Sequence, residues 1–369
     1  LYNGNTALTQ SGLTGYNNQW GACCARDINT NFTTTAPYLA LNLAFGQFDI
    51  DAGVRREKFK ASGSYYGSTS APVSVDVNGD GTLSLAEKNV YVSDRSNPGK
   101  VDYSINYTNK TIGVNYRINN DMSTFARYSE GNRAISDRFY FSPNVDWKTG
   151  ALTTAGAYAA LAPVKQTEIG FRFRTKGAVN FNLDATYFRA TTEEFDFDQT
   201  RQDDPTKPNY QGPKLNTVGY KSDGIELTSS LAASGFRLDA NITYAKGVKT
   251  KDFGNAATIG KEEPGNPKLR YILSPSYSIG PARFGMNFRG QGSQYGDGLN
   301  KQVLSGYMIM GAFVNYDITQ NLTANLNINN LADKVACGGG GGFVGGSTTV
   351  YGCGVEIGRT FSAGIRYKF

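Results

Sequence analysis

The segment Asp76–Glu87, DVNGDGTLSLAE, has an oxygen donor at each position a calcium loop uses. Calcium takes six to eight oxygen ligands, and the loop pattern supplies them from positions 1, 3, 5, 7, 9 and 12. Those positions hold Asp76, Asn78, Asp80, Thr82, Ser84 and Glu87. Thr82 would offer its backbone carbonyl, Ser84 would act through a water, and Glu87 would offer both carboxylate oxygens. Gly81 stands at the sharp turn and Leu83 at the apolar anchor. The expected role is a structural Ca2+ clip of weak affinity, on the order of 10⁻⁴–10⁻³ M. An Asp/Gly-rich turn without metal is the competing reading. A sensor needs a helix pair that opens. Here the preceding APVSV reads as strand, and only SLAEKNV after the loop reads as a helical turn.

Four cysteines offer a second kind of chemistry. Cys337 and Cys353 flank the glycine-rich GGGGGFVGGSTTVYG, and Cys23 and Cys24 are adjacent. An even number of loop cysteines fits an oxidising compartment, and a Cys337–Cys353 bridge is expected. Cys23 and Cys24 form a vicinal bridge or pair with sequence outside this chain. Zinc held by four thiolates is the rival, but no CxxC spacing supports it. The chain has no histidine, so Ser-His-Asp and Cys-His catalysis are excluded and the usual general base is missing. No enzyme is expected.

Two further segments carry site-like residues. The stretch 132–163 contains Arg133, Arg138, Phe139, Tyr140, Phe141 and Trp147. Arginines beside aromatics suit a ring-bearing or anionic ligand, and they suit loop packing or an interfacial aromatic girdle equally well. TTEEFDFDQTRQDDP gathers Glu193, Glu194, Asp196, Asp198, Asp203 and Asp204, either as a cation-binding surface or as a solvated loop. The net charge of +6 is spread along the chain without a Lys/Arg block, so no nucleic-acid partner is expected.

The elements that must position these residues are strands. The chain has 369 residues, with 44 glycines, 23 tyrosines and 21 phenylalanines against 4 methionines, a composition that fits an all-β protein. It holds no apolar run of the roughly 20 residues a transmembrane helix needs. Barrel strands escape that test because they are half polar. Leu322, Ala324, Leu326 and Ile328 alternate with Thr323, Asn325, Asn327 and Asn329. Phe361, Ala363, Ile365, Tyr367 and Phe369 alternate with Ser362, Gly364, Arg366 and Lys368.

The pattern predicts strands at 36–44, 47–58, 101–117, 121–131, 164–175, 178–191, 217–231, 235–247, 266–279, 282–292, 303–317, 320–331 and 357–369. Most exceed the globular mode of about 5–6 residues and reach the roughly 9–11 needed to cross a bilayer. Short turns at FGQ, RINND, TKG, AASG, IGP and ITQN alternate with long loops at 59–100, 132–163, 192–216, 248–265, 293–302 and 332–356. Short turns on one rim and long loops on the other mark an outer-membrane barrel. With the last strand running towards the short-turn side, the segment 1–35 is expected as an extracellular loop segment, and all four cysteines fall outside the cell. The first residues carry no basic and apolar leader, so the chain is expected to be a mature product or a piece of a longer protein.

Several stretches resemble TonB-dependent outer-membrane receptors. APYLALNLAFGQFDIDAGVRRE, IGVNYRINNDMSTFARYSEGNRA, KQTEIGFRFRTKGAVNFNLDATYF and YKSDGIELTSSLAASGFRLDANITYA are similar to barrel hairpins of that family. NLTANLNINNLADK followed by GRTFSAGIRYKF resembles its final strand pair, and Phe369 its aromatic terminus. The resemblance covers most of residues 36–369. It implies the C-terminal part of a transmembrane antiparallel β-barrel, with thirteen strands here and about 22 in the intact protein, an even number as bacterial barrels have. It also implies location in the outer membrane of a Gram-negative bacterium, with the long loops extracellular.

The implied function is energy-coupled import of a scarce nutrient: a siderophore, another metal complex, a cofactor or an oligosaccharide. The implied partners are outer-membrane lipid, the barrel-assembly machinery through Phe369, the small-molecule or oligosaccharide substrate, and TonB through a plug region outside this sequence. A passive substrate-selective porin and a calcium-stabilised surface adhesion or structural protein remain alternatives.

Overall fold

The structure is a computed structural model that describes residues 27–66, 71, 73–76, 79–85, 87–89, 94–135, 144–202, 213–343 and 351–368. Strands β1 (Asp27–Thr35) and β2 (Tyr38–Phe45) lie end to end along one edge of β3 (Phe48–Tyr66). Pro37 sits at the joint, where it lacks an N–H to give the ladder, and its carbonyl accepts from Arg56 N at 3.0 Å. The sheet continues through β4 (Gly99–Arg117), β5 (Met122–Ala134), β6 (Leu161–Thr175), β7 (Val179–Gln202), β8 (Pro213–Ala233) and β9 (Phe236–Asp252). A short helix, α1 (Thr154–Ala159), precedes β6.

After β10 (Leu269–Ile279) and β11 (Ala282–Gln291) come the two-residue strands β12 (Gln294–Tyr295) and β13 (Val303–Leu304), which pair with each other. The sheet resumes with β14 (Tyr307–Asp317) and β15 (Leu322–Asn329). A separate hairpin, β16 (Cys337–Phe343) with β17 (Tyr351–Val355), precedes the last strand, β18 (Thr360–Tyr367). All pairings are antiparallel, and the main sheet has 14 strands. Because β1 and β2 share one place, the sheet has the thirteen positions expected. It stays open among the described residues, with β1–β2 on one edge and β18 on the other.

Connections alternate as the sequence predicts. The tight turns need particular backbones: Ser234 (φ 48°) and Gly235 (φ 84°) both take positive φ between β8 and β9, as a two-residue hairpin turn that follows strand twist requires. A Cβ at Gly235 would stand 2.6 Å from the Ser278 carbonyl, so the site also needs glycine for space.

The two faces follow from register, because residues directly opposite across a ladder point the same way. Phe48, Ile50, Ala52 and Val54 pair with Tyr116, Val114, Ile112 and Lys110 on the outer face. Asp49, Asp51, Gly53 and Arg55 pair with Asn115, Gly113, Thr111 and Asn109 on the inner face. Apolar residues outside and polar ones inside are what lipid and a polar lumen select.

Above Val54 the phase inverts on the same two strands. Phe59, Ala61 and Tyr65 of β3 and Val101, Tyr103, Ile105 and Tyr107 of β4 are all buried and all point inward. Lys58, Lys60, Ser62 and Ser64 point outward. Bilayer therefore ends near Arg56, and a crown with its own inward core begins there.

The crown corrects several boundaries. Strand β3 runs to Tyr66 and β7 to Gln202, and β8 begins at Pro213 and β9 ends at Asp252, so strand extends into the expected loop segments 59–100, 192–216 and 248–265 and fills most of 192–216. Residues 27–35, expected as part of an extracellular loop segment, form β1. Paired strands in water satisfy their backbone without needing an outward apolar face, so the membrane alternation is no guide to where they stop.

Candidate functional site

The inner wall is lined by ion pairs. Arg127 reaches Asp51 at 3.0 Å, Arg117 reaches Asp49 at 3.4 Å, and Arg172 reaches Asp184 at 3.1 Å. The Arg117–Asp49 and Arg172–Asp184 pairs join neighbouring strands, and Arg127 of β5 reaches Asp51 of β3 across Gly113 of the intervening β4. The Arg172 guanidinium also lies 4.3 Å from the centre of the Phe125 ring, and that ring covers Gly170, where a Cβ would meet Phe125 Cε1 at 2.2 Å. Only glycine lets the ring lie flat on the wall with arginine over it. A concavity of about 810 Å³ at the short-turn end is lined by Arg117, Arg172, Arg174, Asn182 and Asp184 among others. Asn315, Asn325, Asn327, Arg366 and Lys368 share a smaller one of about 500 Å³ on the same face, as their alternation predicts.

Higher up, buried Glu57 accepts from Tyr107 Oη at 2.9 Å and Asn109 Nδ2 at 2.7 Å, with Arg55 Nε at 3.2 Å. Three donors meet one carboxylate where the phase inverts, so its buried charge is compensated.

The loop after β5 folds back onto the crown core. Val145 and Ala160 are buried there, and Trp147 and Leu152 pack against the same cluster. Thr153 caps α1 by accepting from Gly156 N at 3.1 Å. Of the residues proposed for ligand contact, Trp147 is occupied in this packing: its carbonyl accepts from Lys100 N at 2.8 Å, and Lys148 Nζ stands 5.4 Å from its ring centre. Arg133 lies at the top of β5, 3.6 Å from Glu194. Arg138, Phe139, Tyr140 and Phe141 lie outside the described residues. Of the acidic segment, Glu193 pairs with Lys251 and Glu194 with Arg133. The side chains of Asp196 and Asp198, and all of Asp203 and Asp204, lie outside the described residues.

In the calcium-type loop, Asp76 accepts from the amides of Gly79 (2.7 Å), Asp80 (3.2 Å) and Gly81 (2.8 Å). Val75 N closes the loop onto the Glu87 carbonyl at 2.9 Å. The Glu87 carboxylate takes Ser84 N at 2.9 Å and Ser84 Oγ at 2.7 Å, and Glu87 N donates back to Ser84 Oγ at 3.3 Å. This reciprocal pair is a capping box for a turn of 3-10 helix at Glu87–Asn89. Thr82 N donates to Asp80 at 2.7 Å, and Asn78 lies outside the described residues. Among the described residues, no group of 3 or more acidic or cysteine side chains is gathered to hold a metal. Cys337 opens β16, opposite Val355. Cys23, Cys24, Phe369 and the side chain of Cys353 lie outside the described residues.

Sequence reading missed two loop anchors. Glu356, in the loop before β18, receives both Arg289 Nη atoms at 3.1 and 2.8 Å and Tyr307 Oη at 2.7 Å. The Arg289 guanidinium, then the Tyr307 hydroxyl, hold its carboxyl below the usual range. Asp252 accepts from Thr258 Oγ1 at 2.6 Å, Asn255 N at 2.9 Å and Gly254 N at 3.0 Å, with Lys249 Nζ at 3.4 Å. Burial opposes its charge, and these donors still hold the carboxyl low. Inward parity marks Arg289 as a wall residue, but nothing in the sequence pairs it with a loop glutamate 67 positions on.

An open antiparallel sheet with an apolar outer band, a polar inner wall and long loops on one rim is part of an outer-membrane β-barrel. The chain matches the family described as "TonB dependent receptor-like, beta-barrel" over residues 2–331, and it belongs to that family. Proteins of this family are barrels of the Gram-negative outer membrane, and that is the location of this chain.

The chain is 24% identical over 324 residues to the "Probable TonB-dependent siderophore receptor PiuA" of Acinetobacter baumannii, covering 84% of this chain and 38% of that protein. Its fold is similar to the ferric yersiniabactin uptake receptor FyuA of Yersinia pestis, with TM-score 0.67, 19% identity, and coverage of 92% of this chain and 46% of that one. It is similar also to the ferric-catecholate import receptor Fiu of E. coli K12 in its closed form, with TM-score 0.67, 18% identity, and coverage of 92% and 45%. The chain thus spans less than half the length of these relatives.

Proposed function

We propose that this chain is the C-terminal part of the barrel of a receptor that imports a ferric siderophore, or a metal chelate of similar kind, by TonB-coupled transport, and that it is not an enzyme. The observation that carries the reading is the inner wall. Paired arginines and carboxylates on β3–β7 give a charged, hydrogen-bonding surface suited to a polar plug and a polar cargo. The relatives named for siderophores and ferric chelates support the cargo class. The intact barrel has about 22 strands on this reading, with plug and TonB contact supplied by sequence outside this chain and assembly guided by Phe369. The test is uptake of labelled ferric chelates in cells with and without the full-length receptor and with and without TonB. Uptake should require both. Uptake that persists without TonB makes the protein a passive porin.

Two features of the extracellular side belong to the same proposal. The loop Asp76–Glu87 takes Ca2+ through Asp76, Asn78, Asp80, Thr82, Ser84 and Glu87. Its closure by Val75 and Glu87 and its turn around Asp76 support this, while Glu87 must exchange Ser84 for the ion. Calorimetry should detect Ca2+ binding that Asp80→Asn abolishes, and silence in the wild type ends the assignment. Cys337 and Cys353 form a disulfide that pins the β16–β17 hairpin. Their placement on the paired strands β16 and β17 supports it. Mass mapping under non-reducing conditions should find the cross-linked peptide, and alkylation of both thiols without reductant would remove the bridge.

A further inference from the structure

We propose that Arg270, Arg289, Gln291 and Tyr307 form a carboxylate-recognition site on the inner wall at the long-loop end, and that Glu356 of the last loop occupies it as an internal stand-in for a carboxylate on an incoming solute. The solute's arrival rests on the import reading, and the site rests on geometry.

Register gathers the donors. Arg270 of β10, Gln291 of β11 and Tyr307 of β14 lie directly opposite one another in one row across three neighbouring strands. Arg289 stands two residues along β11 from Gln291, so it shares their inward face. Strands carry all of them, and strands hold a site more firmly than loops do.

Glu356 shows what the site recognises. Arg289 Nη1 and Nη2 meet its two oxygens at 3.1 and 2.8 Å, and Tyr307 Oη donates to it at 2.7 Å. The paired guanidinium bonds are the fork that fits a planar carboxylate. One carboxylate does not exhaust the donors. Arg270 donates to the Asn266 side-chain oxygen at 3.2 Å and has no carboxylate partner among the described residues. The Gln291 Nε2 is buried and meets no acceptor among them. Two guanidiniums thus share one carboxylate, and an amide donor is left over. The Arg289 side chain is still 52% exposed on the inward face, within reach of a second anion.

Asp252 shows how a purely structural anchor differs. Thr258, Asn255 and Gly254 donate to it from its own loop, so that contact exists only when the loop is folded. At Glu356 the order is reversed. Its donors stand on the wall, and the acceptor comes from a loop 67 positions away from Arg289. The acceptor can leave while the donors stay. A carboxylate from outside meets the same fork together with Arg270 and Gln291, and its binding frees the segment between β17 and β18.

The test uses the full-length receptor in detergent. The probe is citrate, iron-free or iron-loaded, and sulfate at equal ionic strength is the anion of different shape. Calorimetry reads binding, and hydrogen exchange of residues 351–359 reads loop release. Citrate should bind and speed that exchange, and sulfate should do neither. Glu356→Gln should bind citrate about tenfold more tightly, because the internal competitor loses its charge. Arg289→Gln should bind it at least about tenfold more weakly. Arg270→Gln should also weaken it, yet leave exchange without citrate unchanged, since Arg270 does not hold Glu356. Should Arg289→Gln fail to show the heat-resistant mobility of a folded barrel, Tyr307→Phe is read by the same measures and should weaken binding. Tighter binding of the iron-loaded form names a metal chelate as the source of the carboxylate, and binding no tighter than iron-free citrate names a free carboxylate. Both bear out the site. Equal affinity of wild type and Glu356→Gln overturns the proposal, and so does undiminished binding by the wall variants. Loop release by sulfate does the same, since it reduces the effect to charge screening. TonB takes no part in these measurements, so their failure and the failure of the import reading are told apart.

Discussion

The band and the crown of β3 and β4 use one pair of strands in opposite senses. In the band, Ile50 and Val114 face out and Asp49 and Asn115 face in. In the crown, Lys60 and Ser104 face out and Phe59 and Ile105 face in. The backbone pairing does not change at the crossover, and only the solvent does. Below it the outer surroundings are hydrocarbon. Above it both surroundings are aqueous, and apolar side chains gain by packing with the returning loop through Val145, Trp147 and Ala160. Which face of a strand is apolar is therefore a reading of depth, not of fold.

The largest effect should come from the crown core. Tyr65 is fully buried, and Tyr65→Ala should cost about 3–5 kcal/mol of crown stability, while its outward neighbour Ser64→Ala stays within about 0.5 kcal/mol. Hydrogen exchange of residues 144–161 is the readout, and equal effects at the two positions would erase the inversion. In the band the sign reverses. Leu227 faces out and Thr228 in, so Leu227→Arg should cost about 2–4 kcal/mol by unfolding from vesicles, and Thr228→Arg much less.

The smallest effect separates loop from barrel. The Glu356 carboxyl is held low by Arg289 and Tyr307, so its latch is fully present above the ordinary carboxylate pKa and is lost as pH falls through the lowered value. Glu356→Gln should remove that acid-dependent step in the protease sensitivity of residues 330–359 and leave barrel stability unchanged. A step that survives the substitution belongs to another group.

How much of this was legible follows the same division. Alternation at 322–328 and 361–367 fixed both faces of the last strands, and turn spacing fixed thirteen sheet positions. The tall end of β3 was missed although KFKASGSYY also alternates, while that of β4 lies within the expected strand 101–117. The charged run Arg55–Lys58 between the two phases reads as a strand end, when it is a strand crossing from lipid to water. Glu356 with Arg289 was out of reach because that contact joins a loop to a strand far away in sequence. For the calcium-type loop, the sequence gives the order of the oxygens and the fold shows what holds them: Asp76 on three amides, and Glu87 on Ser84.

The open sheet also has a practical consequence. Among the described residues, the strand pair β1–β2 and strand β18 each stand at an open edge of the sheet, beside outward apolar residues such as Leu39, Leu41, Phe361 and Ile365. Such edges are templates for strand addition. Produced by itself, this chain should join other copies edge to edge, and its refolding yield should fall with concentration. A partner polypeptide that caps both edges would be the natural solubiliser.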